Sequence, residues 1–423
     1  MSIPSVKGTR DFYPEQMRLR NWIVDAWRRV SLRHGFEEYD APIFEYLDLF
    51  TVKSGEEIAE QLFRFTDRGG RQLAIRPEIT PSLARMVNAK IASLPRPIKW
   101  FSVPRLCRAE NPQRGRLREF FQWNVDVIGP EDVLADAECI FVAADFLREL
   151  GLTPADVTVR IGSRPLITAA LAGSGVPAER MDAALAVLDK RPKVSDEEFD
   201  RLAAGAGLSA AQVAALRGLQ DCPAPEALPA ATAGLRGAET PVRRLGELFG
   251  HLRRLGVADY CVLDLRVVRG LAYYTGIVYE VFDAGSQLRA LAGGGRYDNL
   301  LEVLGGPAVP ATGFGMGDVV LGILLEEKGK VPPHVRAQQV EFFVIDAEDG
   351  AFGKVVEVVG ALRAAGRGAE FSYVRRPVGK QLKEANRRGA AKALLVRADG
   401  LSLKDLATGE QAETTLDRLL TRV

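Results

Sequence analysis

The 423-residue sequence predicts an α+β fold with three parts: a mostly antiparallel sheet with flanking helices, a helical insertion within it, and a separate C-terminal α/β domain. Three observations lead to this prediction. Short extended runs separated by turns dominate the N-terminal part, a helical stretch rich in Ala, Leu and Gly follows, and strand and helix patterns alternate at the C-terminus. The length also exceeds the roughly 250–300 residues that one hydrophobic core usually supports.

The overall composition excludes several classes of protein. Hydrophobic residues make up 47% and charged residues 26% of the chain. No stretch reaches the roughly 18 uninterrupted apolar residues of a transmembrane helix, so we expect no membrane partner. The N-terminal segment MSIPSVKGTRDFYPEQ has neither the apolar core of a signal peptide nor the composition of a transit peptide, which predicts a cytoplasmic location. The net charge of +1 decides nothing, because an acidic and a basic surface can coexist.

The cysteines and histidines are few and scattered. The cysteines lack Cys-x-x-Cys spacing and lie at Cys107, Cys139, Cys222 and Cys261. The histidines lie at His34, His251 and His334. These spacings argue against a disulfide framework, a zinc site and a Ser/His triad. We therefore expect the chemistry to use other groups, with no metal held by the protein itself.

The N-terminal elements follow from hydrophobic spacing and turn residues. Residues 13–34 carry apolar side chains at helical spacing and are followed by Gly35, a stop signal. A second helix is predicted at 135–150. Extended runs are predicted at 38–44, 72–76, 99–108 and 120–128.

Residues 173–251 form the predicted insertion, because aromatic residues become rare there and helical periods dominate. Strand character returns at 261–265 and 277–282. A glycine-rich run at 292–298 and an apolar helix at 318–327 complete a first domain, which we place at 1–328.

Residues 329–339 have the proline-rich, basic composition of a linker. Beyond it, residues 340–423 alternate between strand and helix patterns as a βαβ domain does. No internal repeat is found.

The richest segment for chemistry is RLCRAENPQRGRLREFFQWNVDVIG, residues 105–129, which predicts a hairpin with a basic loop. Its guanidiniums suit phosphate oxygens, and they lie at Arg105, Arg108, Arg114, Arg116 and Arg118. Glu110 is the one acid among them, and Phe120 and Phe121 offer a stacking surface for a nucleobase. The alternative is a solvated basic hairpin tip with core phenylalanines.

Three further segments are candidates for binding. In LAIRPEITPSLARM, Glu78 and Thr80 follow a strand, and the carboxylate could bind an amino group; alternatively, Thr80 caps a helix beside Glu78. VRGLAYY, residues 268–274, places Arg269 near two tyrosines, and AGGGRYD, residues 292–298, permits close backbone approach to a ligand. Neither this run nor residues 313–317 fits a P-loop or a dinucleotide fingerprint.

Taken together, these segments resemble class II aminoacyl-tRNA synthetases, and within them the histidyl-tRNA synthetase family. KGTRDFYP and GFEEYDAPIFEYLDLF are similar to the entry of the family and its first class motif, a dimer-interface element. RPEIT resembles the histidine-binding turn and RAENPQRGRLREFFQ the second motif. VRGLAYYTGIVYE resembles the histidyl signature, and AGGGRYDNL the segment that leads into the third motif. The segments occur in the order of the family.

The resemblance implies a role for each matching residue. Arg108 and Arg269 would be catalytic and hold the α-phosphate of ATP from two sides. The other ATP-binding residues would be Glu110 and Phe120 at the adenine and Arg116 at the outer phosphates. The α-amino group of L-histidine would be bound by Glu78, Thr80 and Gln122, and its imidazole by Asp126, Tyr273 and Tyr274.

The same resemblance implies the reaction and the partners. ATP, accompanied by Mg2+, would convert histidine to histidyl-adenylate, which then reacts with tRNA(His). Residues 340–423 would form the anticodon-binding domain, with phosphate-seeking charge at Arg375, Arg376, Lys380, Lys383, Arg387 and Arg388; the alternative is an ordinary solvated helix face. A homodimer is also implied.

Four residues depart from the family pattern. Ile79 replaces a glycine, Asn111 a basic residue and Ala272 an acid, and Val320 stands where the third motif carries an arginine for the terminal phosphate of ATP. Losing one charge-assisted contact could cost on the order of 2 kcal/mol in transition-state binding, unless Arg116 substitutes. The departures also suit a second hypothesis, a non-catalytic paralogue that senses histidine as the regulatory subunit of ATP phosphoribosyltransferase. The C-terminal domain and Arg269 favour the ligase.

Overall fold

A computed structural model describes residues 3–51, 61–191, 194–268, 274–285, 287–336 and 340–421. The contacts divide the chain into two compact units. The first comprises Met1–Asp11 and Arg20–Lys330, and the second Phe12–Leu19 and Val331–Val423. No helix in the described residues is long and apolar enough to cross a membrane.

The strands of the first unit are, in chain order, β1 Glu37–Glu38, β2 Phe44–Tyr46, β3 Phe63–Thr66, β4 Gln72–Ile75, β5 Ile98–Ser102, β6 Arg105–Cys107, β7 Glu119–Ile128, β8 Val157–Ser163, β9 Cys261–Leu263, β10 Ile277–Asp283, β11 Ala292–Arg296 and β12 Ala311–Gly317. Among the described residues they form two sheets. The larger has the order β1-β5-β7-β12-β11-β10-β8-β9, with β6 also paired to β7, and the smaller has the order β2-β4-β3. All pairs are antiparallel except β1 with β5 and β8 with β9.

Two predicted extended runs are wrong as single strands. The run at 38–44 divides into β1, which joins the large sheet, and β2, which joins the small one. The chain changes sheets between them, where Ala41 O and Asp40 Oδ1 both accept hydrogen bonds from Arg76 Nη1. The run at 99–108 divides into β5 and β6 at Pro104, which cannot donate to a ladder.

The helices of this part of the chain are α1 Pro14–Arg33, α2 Leu47–Thr51, α3 Thr80–Lys90, α4 Leu134–Glu149, α5 Arg164–Gly173, α6 Met181–Leu188, α7 Asp196–Gly205, α8 Ala210–Gln220, α9 Leu228–Ala231, α10 Glu239–Arg254, α11 Leu300–Val303 and α12 Asp318–Glu327. The predictions at 13–34, 135–150 and 318–327 agree with α1, α4 and α12. Between Gly173 and His251 the described elements are all helical. One face of β7 packs on α1 and α4 through Trp123, Trp27 and Phe146, with Trp rings 6.0 Å apart.

The second unit contains α13 Pro333–Arg336, β13 Val340–Asp346, α14 Phe352–Ala364, β14 Ala369–Phe371, α15 Val378–Arg387, β15 Ala390–Val396, β16 Leu401–Asp405, β17 Gln411–Thr414 and α16 Leu416–Leu420. Its sheet has the order β14-β13-β15-β16-β17. The strands β14, β13 and β15 are parallel and the last two pairs are antiparallel. Two apolar clusters cover the two faces of β13, one centred on Phe342 and the other on Phe343. The alternating strands and helices at the C-terminus are therefore as predicted.

Candidate active site

The basic segment forms a hairpin, as predicted. Strand β6 pairs antiparallel with the first part of β7, and the loop between them closes where Arg108 N donates to Arg118 O at 2.9 Å. Further along, Gln113 and Arg116 exchange two backbone hydrogen bonds of 2.9 Å each. Backbone hydrogen bonds thus hold the loop that carries the arginines, and the arginine side chains have different partners.

Arg108 joins the hairpin to the RPEIT turn. Its Nε donates to Pro77 O at 3.0 Å, and its guanidinium carbon lies 5.3 Å from the centre of the Phe120 ring. Pro77 directly precedes Glu78, one of the predicted histidine-binding residues. A single guanidinium therefore contacts both the predicted adenine-stacking ring and the turn that carries the predicted amino-group ligand.

Glu110 and Arg116 form an ion pair within the loop. Glu110 is buried, with 8% of its surface exposed, and its backbone oxygen accepts a hydrogen bond of 2.9 Å from Arg118 Nε. Arg114 differs, because its side chain is 69% exposed and pairs with Glu327 on α12. The solvated-tip alternative therefore describes Arg114 and not Arg108 or Arg116.

One face of β7 carries the next part of the site. Alternation along a strand places Phe120, Gln122 and Asp126 on the same face. Strand β12 pairs with β7 in the same sheet, and Gly313 lies opposite Asp126. A Cβ at Gly313 would lie 2.3 Å from Asp126 Oδ1, and one at Gly315 would lie 2.7 Å from Gln122 Nε2. The sequence GFGMG therefore makes room for these two side chains, a role that the sequence analysis missed.

Asp126 is buried at the far end of this face, with 3% of its surface exposed. Tyr297 Oη donates a hydrogen bond to Asp126 Oδ1. Burial raises the pKa of the Asp126 carboxyl to about 7, and the hydrogen bond from Tyr297 opposes this shift. Within the described part of the chain, Asp126 Oδ2 has no hydrogen-bond partner. A buried polar atom of this kind is available to a ligand or a water molecule.

Sequence reasoning also missed two tyrosines that lie near Asp126. Tyr297 belongs to AGGGRYD, which was interpreted only through its glycines. Tyr39 is buried, and the pKa of its hydroxyl is raised by burial and then by the charge of Asp126. Tyr39, Tyr274 and Tyr297 share a buried cluster with Ile79, so the RPEIT turn also borders this end of the site.

Two of the three predicted ligands of the amino group lie at the start of α3, and the third, Gln122, lies on β7. Glu78 is buried, with 6% exposed, and Thr80 is half-buried. The alternative of a Thr80 N-cap is wrong, because α3 begins at Thr80, its N-cap residue is Ile79, and no side chain caps it. Arg76 ties the turn to strand β6, since its Nε donates to Arg105 O at 3.1 Å. The Thr80 hydroxyl is thus not used as a helix cap.

A buried ion pair holds the strand that precedes Tyr297. Arg296 and Asp136 are 2% and 0% exposed, and Arg296 Nη2 lies 2.6 Å from Asp136 Oδ2. Arg296 Nη1 also donates to Pro130 O at 3.1 Å. The pair fixes the end of β11, so Tyr297 reaches Asp126 from a rigid position.

Val320 fills the position of the third-motif arginine. Its side chain is buried and faces the hairpin loop, where a Cβ at Gly115 would lie 3.2 Å from Val320 Cγ2. Nearby, Asp318 accepts hydrogen bonds from Phe121 N at 2.9 Å and from Arg10 Nη2 at 2.7 Å. The expected loss of transition-state binding caused by Val320 stays a prediction.

Of the remaining predicted site residues, the structure describes Tyr274 but not Arg269 or Tyr273. Tyr274 is buried beside Gly295, where a Cβ would lie 2.9 Å from Tyr274 Cδ1. Arg269 and Tyr273 lie outside the described residues, as does Ala272. The described structure thus brings together Arg108, Glu110, Arg116 and Phe120 at one end of β7, and Gln122, Asp126 and Tyr274 along the rest of the site.

Comparisons with known proteins identify the family and the fold of the chain. A family model described as histidyl-tRNA synthetase matches residues 8–317. The chain is 41% identical to a histidine–tRNA ligase of Opitutus terrae, covering 98% of this chain and 96% of the relative. It is 40% identical to the chloroplastic/mitochondrial histidine–tRNA ligase of Arabidopsis thaliana, covering 98% and 85%. A histidyl-tRNA synthetase structure from Nostoc sp. PCC 7120 has the same fold, with a TM-score of 0.84, 22% identity, and coverage of 99% and 98%.

These matches confirm the predicted fold class and the predicted enzyme class, an aminoacyl-tRNA ligase for histidine. They support the ligase over the regulatory paralogue, since the curated relatives named above are ligases along nearly their whole length. The chain belongs to the histidyl-tRNA synthetase family.

Proposed function

We propose that ATP binds at the hairpin end of β7, that L-histidine binds along the rest of that face, and that Arg108 acts where they meet. The observation that carries the proposal is the position of Arg108, whose guanidinium lies over Phe120 and whose Nε donates to Pro77 O at 3.0 Å. An arginine between a base-stacking ring and an amino-acid turn is placed to contact the α-phosphate, the atom group at which the two substrates react.

The ATP end would work through charge and stacking. Phe120 would stack on the adenine, with Glu110 facing it, and Arg108 would hold the α-phosphate opposite Arg269. Arg116 would reach the outer phosphates. Because Arg116 is paired with Glu110, it must release this partner to do so, and the triphosphate supplies the larger negative charge.

The histidine end would work through buried polar groups. Glu78, Thr80 and Gln122 would bind the α-amino group, and Asp126 would accept a hydrogen bond from the imidazole, with Tyr273 and Tyr274 beside it. Tyr297 already donates to Asp126 Oδ1. This hydrogen bond orients the carboxylate and leaves Oδ2 for the ligand, so a side chain without an N–H at this position would leave a buried acceptor unpaired.

The reaction would be an in-line displacement. The histidine carboxylate attacks the α-phosphorus, the bond to pyrophosphate breaks, and histidyl-adenylate forms. Positioning and positive charge supply most of the catalysis, as in other phosphoryl and nucleotidyl transfers. A hydroxyl of the terminal tRNA ribose then attacks the activated carbonyl and releases AMP.

Mg2+ would enter with the nucleotide. The Glu110 carboxylate, paired with Arg116 in the structure, would face the adenine when ATP binds, so the donor set that fits Mg2+ here is mainly the phosphate oxygens of ATP and water. The ion would neutralise phosphate charge as pyrophosphate leaves. The residues of this chain would orient the phosphates around it.

We assign tRNA(His) as the macromolecular partner and residues 340–423 as its anticodon-binding domain, after a linker at 329–339 and a catalytic domain at 1–328 with its insertion at about 173–251. The parallel part of the C-terminal sheet and the exposed cations of α15 support this assignment. The cytoplasm is the proposed location, and microscopy of the tagged protein would test it.

A homodimer is proposed from the small sheet. Its outer surface exposes large apolar side chains at Ile43, Phe44, Tyr46 and Phe65, which are 41% to 58% exposed. The rings of Phe44 and Phe65 lie 6.1 Å apart, so the patch is continuous. Such patches usually mark interfaces. Phe44→Asp should shift the protein from dimer to monomer in light scattering, whereas Tyr13→Asp, at an exposed tyrosine in the other unit, should not.

The test of the proposed function is ATP/pyrophosphate exchange with each of the twenty amino acids. We expect exchange with histidine alone. Exchange with none would favour the histidine-sensing paralogue, and exchange with another amino acid would refute the substrate assignment. Arg269→Ala should then abolish exchange while the unfolding temperature is retained, and a fully active variant would refute its placement in the site.

A further inference from the structure

An aromatic stack, in which successive rings are tilted by 58° and 42°, stands out on the C-terminal unit. Phe352 at the start of α14, Phe371 at the end of β14 and Tyr373 beyond it follow one another, with ring centres 6.1 Å and then 4.8 Å apart. The outermost ring, Tyr373, is 76% exposed, and the neighbouring Val374 is 56% exposed. The stack therefore ends in a ring that presents its surface to solvent.

The segment that carries Tyr373 is held in place at both ends. Ser372 is buried, and its Oγ lies 2.9 Å from Val374 O and 3.0 Å from Glu384 Oε2. At the other end, the buried Gln381 donates from Nε2 to Arg376 O at 2.6 Å. The exposed ring thus sits on a preorganised turn, which lowers the entropy cost of binding a ligand.

The position in the sheet also favours a binding site. Strands β14, β13 and β15 run parallel, so their carboxyl ends lie at one edge. Phe371 and the turn with Tyr373 extend from that edge. Open α/β sheets bind their ligands at this edge, where the loops after the strands converge.

Positive charge is available beside the stack. Lys380, Lys383 and Arg387 are exposed on α15, which begins directly after the turn, and within the described residues none of the three forms an ion pair. Their spacing of three and four residues places them on neighbouring positions of the helix surface. Arg375, 5.8 Å from the centre of Phe352, adds a fourth cation, although it also lies 3.4 Å from Asp346.

We propose that Tyr373 is a stacking platform for an unpaired base of the bound tRNA, and that Lys380, Lys383 and Arg387 contact the phosphates beside that base. The inference rests on the proposed function and adds how the tRNA is recognised. Positive charge alone would bind any nucleic-acid strand, whereas a flat ring binds an unpaired base. Unpaired RNA bases are commonly recognised by aromatic stacking. A protein partner fits less well, because ordinary protein interfaces bury about 800 Å² per side, whereas the exposed apolar side chains described at this turn are Tyr373 and Val374.

The test compares substitutions at Tyr373 in the full-length protein. Tyr373→Ala should lower kcat/KM for charging a tRNA(His) transcript by roughly 5- to 150-fold, mainly through KM for tRNA, the range expected for one stacked base. Tyr373→Phe should stay within about twofold of the wild type, because the ring remains. Val356→Ala, at an exposed apolar residue of α14, is the control, and pyrophosphate exchange without tRNA should be unchanged in all three.

A second arm locates the base. The wild type and Tyr373→Ala are compared on a set of tRNA transcripts, each with one abasic nucleotide at a different unpaired position. The transcript that lacks the stacked base should be a poor substrate for the wild type and should be charged no less well by Tyr373→Ala. Unchanged tRNA charging by Tyr373→Ala would overturn the platform, as would an equal loss of pyrophosphate exchange or a Tyr373→Phe variant as defective as Tyr373→Ala. A wild-type protein that fails to activate histidine would instead refute the proposed function.

Discussion

The two ends of β7 differ in charge and burial, and the proposed function gives them different recognition problems. At the hairpin end, Arg108, Glu110 and Arg116 are charged and paired with one another or with backbone, and the two arginines are partly open to solvent. At the far end, Asp126 and Tyr297 are almost fully buried beneath a glycine-lined strand. Phe120 at the first end and Asp126 at the second lie on the same face of β7.

The difference teaches how each end can tolerate change. Several cations and a metal ion can share the charge of a triphosphate, so we expect the proposed ATP end to operate with Val320 in place of an arginine. Selection of one amino acid requires that a wrong side chain leave a buried polar group unpaired, and this penalty depends on one or two atoms. Substitutions at the ATP end should therefore lower activity by graded amounts. Substitutions at the histidine end should cause a sharp loss of activity that is specific to histidine.

The largest effect is expected for Arg108→Ala. This residue serves both ends, and removing a charge that faces the developing negative charge typically costs about 10²- to 10³-fold in rate. The kcat/KM for histidine-dependent pyrophosphate exchange should fall by that factor. Arg114→Ala, at the exposed tip of the same loop, is the matched control and should stay within about threefold. Equal losses in both variants would show that the loop acts as an undivided basic surface.

A smaller but more selective effect is expected for Asp126→Asn. The kcat/KM for histidine should fall about 100-fold, while KM for ATP changes less than about twofold, because only the imidazole loses its acceptor. Tyr297→Phe, which removes the orienting hydrogen bond and keeps the acceptor, should lose about tenfold. A parallel rise of KM for both substrates would mean that the far end is not separate from the ATP end.

The sequence was sufficient to predict the hairpin that carries one end of the candidate site. Arginine, glutamate and phenylalanine at fixed spacing on one hairpin are local, so Arg108, Glu110, Arg116 and Phe120 come together through pairing of two adjacent strands. Helices such as α1 and α4 were predicted for the same reason, since their apolar spacing is a local property.

The far end depends on contacts between distant segments. Tyr297 and Gly313 approach Asp126 only because β12 pairs with β7 and β11 pairs with β12, and no spacing in the sequence predicts that register. The run at 38–44 was misjudged for a similar reason: its local pattern suits a strand, but its two halves pair with different sheets. Only the family resemblance pointed to Asp126.

The tolerance of the ATP end is tested by Arg116→Ala. If Arg116 takes over for the missing third-motif arginine, its loss should raise KM for ATP about tenfold and leave KM for histidine unchanged. Glu110→Gln, the companion variant, frees Arg116 from its ion pair but also changes the group proposed to face the adenine, so it should raise KM for ATP less than Arg116→Ala does. An Arg116→Ala variant with normal KM for ATP would show that another group compensates for Val320.

The smallest effect concerns stability of the far end. Burial raises the pKa of Asp126 from 3.8 to about 7, so the folded state binds more protons at this carboxyl than the unfolded state does between these values. The sign follows from linkage: the free energy of unfolding should fall as pH rises through the folded pKa, by about 1 kcal/mol from about pH 6 to about pH 8. Asp126→Asn should remove this slope, as measured by urea unfolding of the free protein at several pH values. Identical slopes in the two proteins would show that Asp126 is already ionised at neutral pH, and that the hydrogen bond from Tyr297 outweighs the effect of burial.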